Sequence, residues 1–176
     1  DNPVVHDEQP DVPADFARAP DGPFYPSYDT SYLVAQRAYD PDRALIVTGK
    51  APRVRKDLRY WSLCQNINIR PLPVVDCVSD RDIKVTKGRY TIAVVTPEQV
   101  PVAERAKYRG VTFIDWGAVN TDGVHEDALL LFRHILPKAT FTQSVKSVTP
   151  GQPATPSMGA YAPIIEQVPL SDLRAR

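Results

Sequence analysis

The sequence predicts a mainly β protein: a β-sandwich with one or two short helices and proline-rich arms at both ends. Three observations predict this fold class. Short segments rich in Val, Ile, Thr, Tyr and Trp alternate with turn residues along the chain, which is typical of sandwiches and barrels. Two cysteines lie at the ends of a predicted hairpin. Eighteen prolines, many of them near the termini, favour extended backbone and turns over helices.

The domain organisation follows from where the prolines cluster. Residues 1–28 form a predicted N-terminal arm, residues 29–170 a single sandwich domain, and residues 171–176 a C-terminal tail. With 176 residues, 43% of them hydrophobic, the chain is long enough for one domain with a sizeable core. Terminal arms of this kind also allow self-association, in which each copy reaches onto its neighbour.

The predicted strands are the segments with high β-propensity between turn signals. They are Tyr32–Tyr39, Ala44–Thr48, Tyr60–Cys64, Val74–Val78, Ile83–Thr86, Arg89–Val95 and Val111–Trp116.

Three later segments are predicted from periodicity. Residues 102–107 are compatible with a helical turn inside a polar loop. Residues 127–136 form an apolar run that fits a buried strand or a buried helix, and its strand neighbours favour a strand. Residues 138–148 carry Phe141, Val145 and Val148 at helical spacing after a proline, which predicts one short helix.

The two cysteines indicate the compartment. Cys64 and Cys77 end two facing strand segments with a loop between them, which predicts a cross-strand disulfide. Their spacing is not that of a redox-active CxxC pair, and no histidine lies nearby to complete a zinc site. Disulfides persist in oxidising compartments, and the chain begins with Asp1 rather than Met, as after removal of a signal peptide. We therefore expect a secreted or extracytoplasmic (cell-envelope) protein.

The hairpin also suggests where to look for a ligand. Alternation places Tyr60 and Val75 on the disulfide face, and Trp61 and Val74 on the opposite face. Both faces are then apolar, so each needs a cover, and a ligand or partner chain is one candidate. The candidate ligand pocket consists of polar and aromatic side chains set in apolar runs: Arg59, Tyr60, Trp61, Trp116, Arg133, His134 and Tyr161.

Catalytic signatures are lacking. The sequence contains no GxSxG, HExxH, GxGxxG or P-loop motif, so we predict no catalytic residues, no metal site and no cofactor. The alternative is a cell-envelope hydrolase or isomerase that uses His134 with a nearby carboxylate as acid and base. The basic run at residues 53–59 fits a solvated loop or an anion site.

The balance of acidic and basic residues limits the classes of partner that the sequence predicts. Lys plus Arg and Asp plus Glu number 21 each, so no net field attracts nucleic acid or an anionic membrane. No apolar run reaches the roughly 18 residues of a membrane span. A small molecule, a glycan or a protein remains as the partner.

Several short sequence segments resemble segments of a group of uncharacterised secreted bacterial proteins. These segments are Arg59–Asn66 (RYWSLCQN), Val75–Asp80 (VDCVSD), Gly88–Ile92, Phe113–Gly117 and Leu131–Pro137. More distantly, their order resembles a jelly-roll family of unknown function. The resemblance implies a jelly-roll sandwich and a strand at residues 127–136, and it carries no activity. The sequence thus predicts a secreted, non-catalytic binding or structural domain.

Overall fold

Two packed β-sheets form the body of the molecule, as the sequence predicts. The computed structural model describes residues 12–20, 30–68, 72–117 and 125–173. Its strands are β1 (Ala17–Arg18), β2 (Thr30–Arg37), β3 (Arg43–Lys50), β4 (Tyr60–Ile67), β5 (Val74–Ser79), β6 (Val85–Thr86), β7 (Arg89–Val95), β8 (Val111–Asp115), β9 (Ala128–Ile135) and β10 (Ile164–Pro169). Its short α-helices are α1 (Thr155–Met158) and α2 (Leu170–Leu173).

The first sheet has the order β1-β2-β9-β4-β5, with every pair antiparallel. The ambiguous apolar run is its central strand, β9. Both sides of β9 are apolar because both are covered: Leu130 and Phe132 point into the sandwich, and Leu129 packs on the outer side against Ala19 of the N-terminal arm. A strand buried on both faces is a near-continuous apolar run, which explains the missing alternation.

The second sheet has the order β10-β3-β7-β6, and β8 also pairs with β7, in parallel. Its inner face supplies Leu45 and Ile92 to the main core. Its outer face is covered by the loop after β7 and by α2, whose Leu173 is buried there. A short 3₁₀ helix, Val102–Lys107, lies in that loop where a helical turn is predicted.

The main core lies between the sheets around three aromatic rings. Trp61 on β4 lies 4.8 Å from Tyr90 on β7 and 5.7 Å from Phe132 on β9, measured between ring centroids. All three side chains are fully buried. The inner face that the hairpin presents through Trp61 is therefore covered by the opposite sheet.

The predicted helix over residues 138–148 is wrong. The segment consists of turns and one 3₁₀ helix, Val145–Ser147. Serine hydroxyls compete for the backbone here, since Ser147 Oγ donates to the carbonyl oxygen of Ser144 at 2.7 Å. The three apolar residues of the predicted helix face, Phe141, Val145 and Val148, are nonetheless buried in the main core.

The described parts of the predicted terminal arms pack against the same chain. Phe16 is buried in the main core, and β1 pairs with β2. Arg18 Nη1 donates to the carbonyl oxygens of Lys146 (3.1 Å) and Val148 (2.7 Å), which fastens the arm to the loop after β9. Residues 1–11, 21–28 and 174–176 of the predicted arm and tail lie outside the described residues.

The disulfide is present, and a bulge corrects the predicted faces of its hairpin. Cys64 and Cys77 lie directly opposite each other on β4 and β5 and are bonded. The register shifts after Gln65, so that Asn66 pairs with Val74. Val74 therefore lies on the disulfide face, where it is exposed, and Val75 is the unpaired residue of the bulge. A one-residue bulge reverses the alternation that sequence reasoning assumes.

The described residues contain no helix that is long and apolar enough to span a membrane.

A glycine gives Tyr90 its place in the core. Gly49 on β3 lies opposite Tyr90 on β7, and a Cβ at position 49 would meet Tyr90 Oη at 2.5 Å. The ring cannot move aside because it packs against Trp61. We expect Gly49→Ala to lower the free energy of unfolding by about 2 kcal/mol, as overpacking does. Urea denaturation measures this loss.

Tyr90→Phe is the matched variant for that prediction. Among the described residues, the buried Tyr90 hydroxyl has no hydrogen-bond partner. Its removal is expected to leave stability unchanged or raise it, and to restore part of the loss in the double variant. If Gly49→Ala costs the same in both backgrounds, the contact with the hydroxyl is not the cause.

Candidate binding groove

A groove of about 800 Å³ opens at one end of the first sheet. Three separate chain segments meet there: the loop before β4 together with the start of β4, the end of β5 with its following turn, and the segment after β9. The lining residues are Val54, Arg55, Leu58, Arg59, Tyr60, Ser79, Asp80, Arg81, Leu136 and Lys138. A groove of this size is in the range that holds small ligands.

Asp57, a buried residue, connects two of the segments that line the groove. Asp57 accepts hydrogen bonds from the backbone N–H of Arg53 (2.8 Å), from its Nε (3.0 Å) and from its Nη2 (2.8 Å). The carbonyl oxygen of Asp57 accepts from the backbone N–H of Lys138 (2.8 Å), which ties the loop to the segment after β9. The side-chain hydrogen bond from Arg53 lowers the pKa of Asp57. Asp57 is thus already neutralised and adds no free negative charge to the groove.

Two groove residues adopt left-handed backbone that non-glycine residues rarely adopt. Arg55 has a φ of 68° and Leu136 a φ of 48°. Such conformations persist where surrounding structure imposes them, and they cluster at functional sites. Beside them, Val54 and Leu136 expose 37% and 41% of their surface, which gives the groove an apolar lining.

The charge in the groove is positive. Arg55, Arg59, Arg81 and Lys138 line it, and within the described ranges none of these four forms an ion pair. Among the described lining residues the only carboxylate is Asp80, whose Oδ1 accepts from the N–H of Trp61 at 3.3 Å, so four cations outnumber one carboxylate. A chain with balanced total charge therefore concentrates cations around a partly apolar groove.

The structure separates the seven residues of the sequence-predicted pocket. Arg59 and Tyr60 line the groove, and Arg133 contacts Tyr60 on the outer face of the sheet. Trp61 and His134 are paired across β4 and β9 but are buried on the inner face. These side chains do not form one pocket.

The other two pocket residues lie elsewhere in the fold. Trp116 is buried against Tyr39 and donates from Nε1 to the carbonyl oxygen of Glu126 (2.9 Å). Tyr161 packs edge-on against Phe141. Both positions are structural, so the predicted pocket is corrected to a groove that contains Arg59 and Tyr60.

His134 is not placed for acid–base chemistry. Its Nδ1 accepts from the backbone N–H of Val145 (3.2 Å), and its ring packs between Phe132 and Phe141. Burial lowers its pKa to about 3, so it is neutral at physiological pH. Within the described residues no carboxylate bonds to it. Within the described residues, His134 therefore lacks the neighbouring carboxylate that the acid–base alternative requires.

Sequence reasoning missed several groove residues. The basic run at residues 53–59 supplies Arg55 and Arg59, but a solvated loop has the same pattern. Arg81 and Lys138 join them only because β4 pairs with both β5 and β9. No local signal marks them.

Comparisons with known proteins do not assign a family. Neither a protein-family model nor a curated protein matches the chain. Among solved structures, the chain is similar to an uncharacterized protein from Burkholderia cenocepacia, at 15% sequence identity and a TM-score of 0.49. The similarity covers 84% of this chain and 32% of that one, so the chain spans about a third of that protein's length.

Proposed function

We propose that the protein is a secreted, non-catalytic binding module whose groove takes an anionic ligand. The observation that carries this proposal is the set of four cations around the groove that form no ion pair within the described residues. Cations that serve stability are usually paired or dispersed, whereas cations gathered at a concave site attract and hold negative charge. The exposed Val54 and Leu136 add apolar contact for a ligand that is more than a bare ion.

The extracytoplasmic location is part of this proposal. It rests on the Cys64–Cys77 disulfide, since such bonds persist outside the reducing cytoplasm. The resemblance of the sequence to secreted bacterial proteins supports this location. We also propose that the sandwich is a jelly roll, as the more distant resemblance implies. Self-association through the arms stays an alternative to this proposal; of the arms, residues 12–20 and 170–173 pack against their own chain.

The test is charge reversal in the groove. Arg81→Glu with Lys138→Glu is expected to weaken binding of the monosaccharide galacturonate and of inorganic phosphate about tenfold or more, because two attractive contacts become repulsive. Both side chains are exposed, so the fold should be kept. Binding is measured from chemical-shift changes in ¹⁵N-labelled protein.

The matched control is Lys84→Glu with Arg109→Glu. These residues are also exposed and lie outside the groove, and the substitutions change the net charge by the same amount. The control should bind like the wild type. If both double variants lose binding equally, the attraction is a whole-protein charge effect. If neither anion shifts signals from the groove, the proposed function is wrong.

A further inference from the structure

Arg133 is held in a fixed orientation beside the groove. It projects from β9 on the outer face of the first sheet, opposite Ser62 of β4. Its Nε donates to Ser62 Oγ at 2.7 Å, and its guanidinium carbon lies 5.7 Å from the centroid of the Tyr60 ring. The Ser62 side chain is itself buried, so the hydrogen bond is partly buried. These two contacts remove most of the freedom that an exposed arginine would have.

The binding capacity of this arginine is unused. Across the described part of the chain, its terminal nitrogens Nη1 and Nη2 have no acceptor, and no carboxylate pairs with it. The side chain is only partly buried. A guanidinium fixed at Nε and open at both terminal nitrogens offers a planar pair of donors, which matches the two oxygens of a carboxylate.

Tyr60 connects this arginine to the groove. Tyr60 lines the groove, and Arg133 lies against the ring of the same tyrosine, so Tyr60 links Arg133 to the groove. Positively charged side chains therefore lie both in the groove and, beyond the Tyr60 ring, at Arg133 on the outer face of the first sheet. A ligand that contacts both the groove cations and Arg133 must extend past Tyr60, so a longer ligand is expected to make more contacts than a single sugar.

We infer that the ligand is a linear acidic polysaccharide whose sugars carry carboxylates. This inference rests on the proposed function and names its ligand class. One uronate lies among the groove cations, a neighbouring sugar packs on Tyr60, and a further carboxylate is held by the fork of Arg133. Sugar rings have apolar faces that fit Tyr60, Val54 and Leu136, with their charges at the edges. Single-stranded nucleic acid would need several stacking rings, and among the described residues that line the groove Tyr60 is the only aromatic one.

The experiment measures affinity against ligand length. Galacturonate oligomers from the monosaccharide upward are titrated by calorimetry into the wild type and into Arg133→Ala. Wild-type affinity should rise with length until the oligomer spans Tyr60. The loss in Arg133→Ala should grow with length and reach about tenfold for long oligomers, as for one charge-assisted contact. Arg133→Lys keeps the charge without the fork and should recover only part of the affinity.

Controls separate this inference from a general polyanion effect. Arg89→Ala removes an exposed cation from the other sheet and should bind oligomers of every length like the wild type. Urea denaturation checks that Arg133→Ala is folded. Polyglutamate and an oligothymidylate of comparable length are titrated in parallel, and both should bind more weakly than the oligogalacturonates.

The outcomes distinguish this inference from the proposed function. If the groove double variant loses galacturonate binding but Arg133→Ala matches the wild type at every length, the groove function stands and the extended ligand is wrong. If polyglutamate or the oligothymidylate binds as tightly as the oligogalacturonates, the ligand is an acidic peptide or a nucleic acid and the polysaccharide is wrong. If no anion binds to the groove, both are wrong.

Discussion

Loss of the Cys64–Cys77 bond is expected to lower the free energy of unfolding by about 3 kcal/mol. The bond closes a loop between residues 13 positions apart in sequence. In the chain-entropy model, a loop of this size restricts the unfolded chain enough to give about 3 kcal/mol. The bond also joins β4 to β5, which carry the groove residues Tyr60 and Ser79. We therefore expect anion binding to weaken along with stability.

The variant for this prediction is Cys64→Ala with Cys77→Ser. Cys64 is buried and receives an apolar replacement, whereas Cys77 is exposed and accepts a hydroxyl at little cost. Urea denaturation compares the variant with the wild type, each with and without dithiothreitol. The reduced wild type should resemble the variant, and the variant should not respond to reductant. The prediction is contradicted if the reduced wild type, with both thiols shown to be free, has the same urea midpoint as the oxidised wild type.

The sequence was sufficient for the strands of the sandwich centre. β-branched and aromatic segments between turn residues predict β2 to β9, because β-propensity and turn chemistry act locally. The strands that were missed, β1 and β10, are edge strands within proline-rich segments. Proline is tolerated at such edges, as Pro169 shows at the end of β10, so proline content alone does not exclude a strand.

The helix at residues 138–148 failed for a related reason. A spacing of three or four residues indicates which side chains are buried, and Phe141, Val145 and Val148 are. It does not show that the backbone is helical, because turns can bury the same residues. Isolated helices shorter than about 12 residues are marginal in water, so tertiary contacts decide the backbone in such segments.

The groove was less predictable than the fold. The sequence predicts Arg59 and Tyr60 as ligand-binding residues because they begin the cysteine strand, but it also predicts Trp61, which alternation places on the opposite face. Arg81 and Lys138 reach the groove through non-local strand pairing, which no short pattern records. The gathering of four cations at the groove thus depends on the strand pairing and not on any local sequence pattern.

The second large effect is expected at acid pH and comes from His134. The side chain is 1% exposed, and its Nε2 has no hydrogen-bond partner among the described residues. Burial lowers its pKa from 6.5 to about 3. The unfolded chain therefore binds a proton near pH 6.5 that the folded chain does not bind until about pH 3. Protonation favours the unfolded state, so this stability is complete above pH 6.5 and is lost as the pH falls towards 3.

His134→Asn is the matched variant, because the amide oxygen of asparagine preserves an acceptor for the backbone N–H of Val145 and does not titrate. At neutral pH the variant should be less stable, since a smaller side chain leaves a cavity in the core. Below pH 6.5 the wild type should lose this advantage at about 1.4 kcal/mol per pH unit. Carboxylates such as Asp57 titrate in both proteins and cancel in the difference. Urea denaturation at a series of pH values gives the two curves. Parallel curves would mean that His134 takes up its proton in the folded protein, and the core around Phe132 and Phe141 would then have to admit water or a counter-charge.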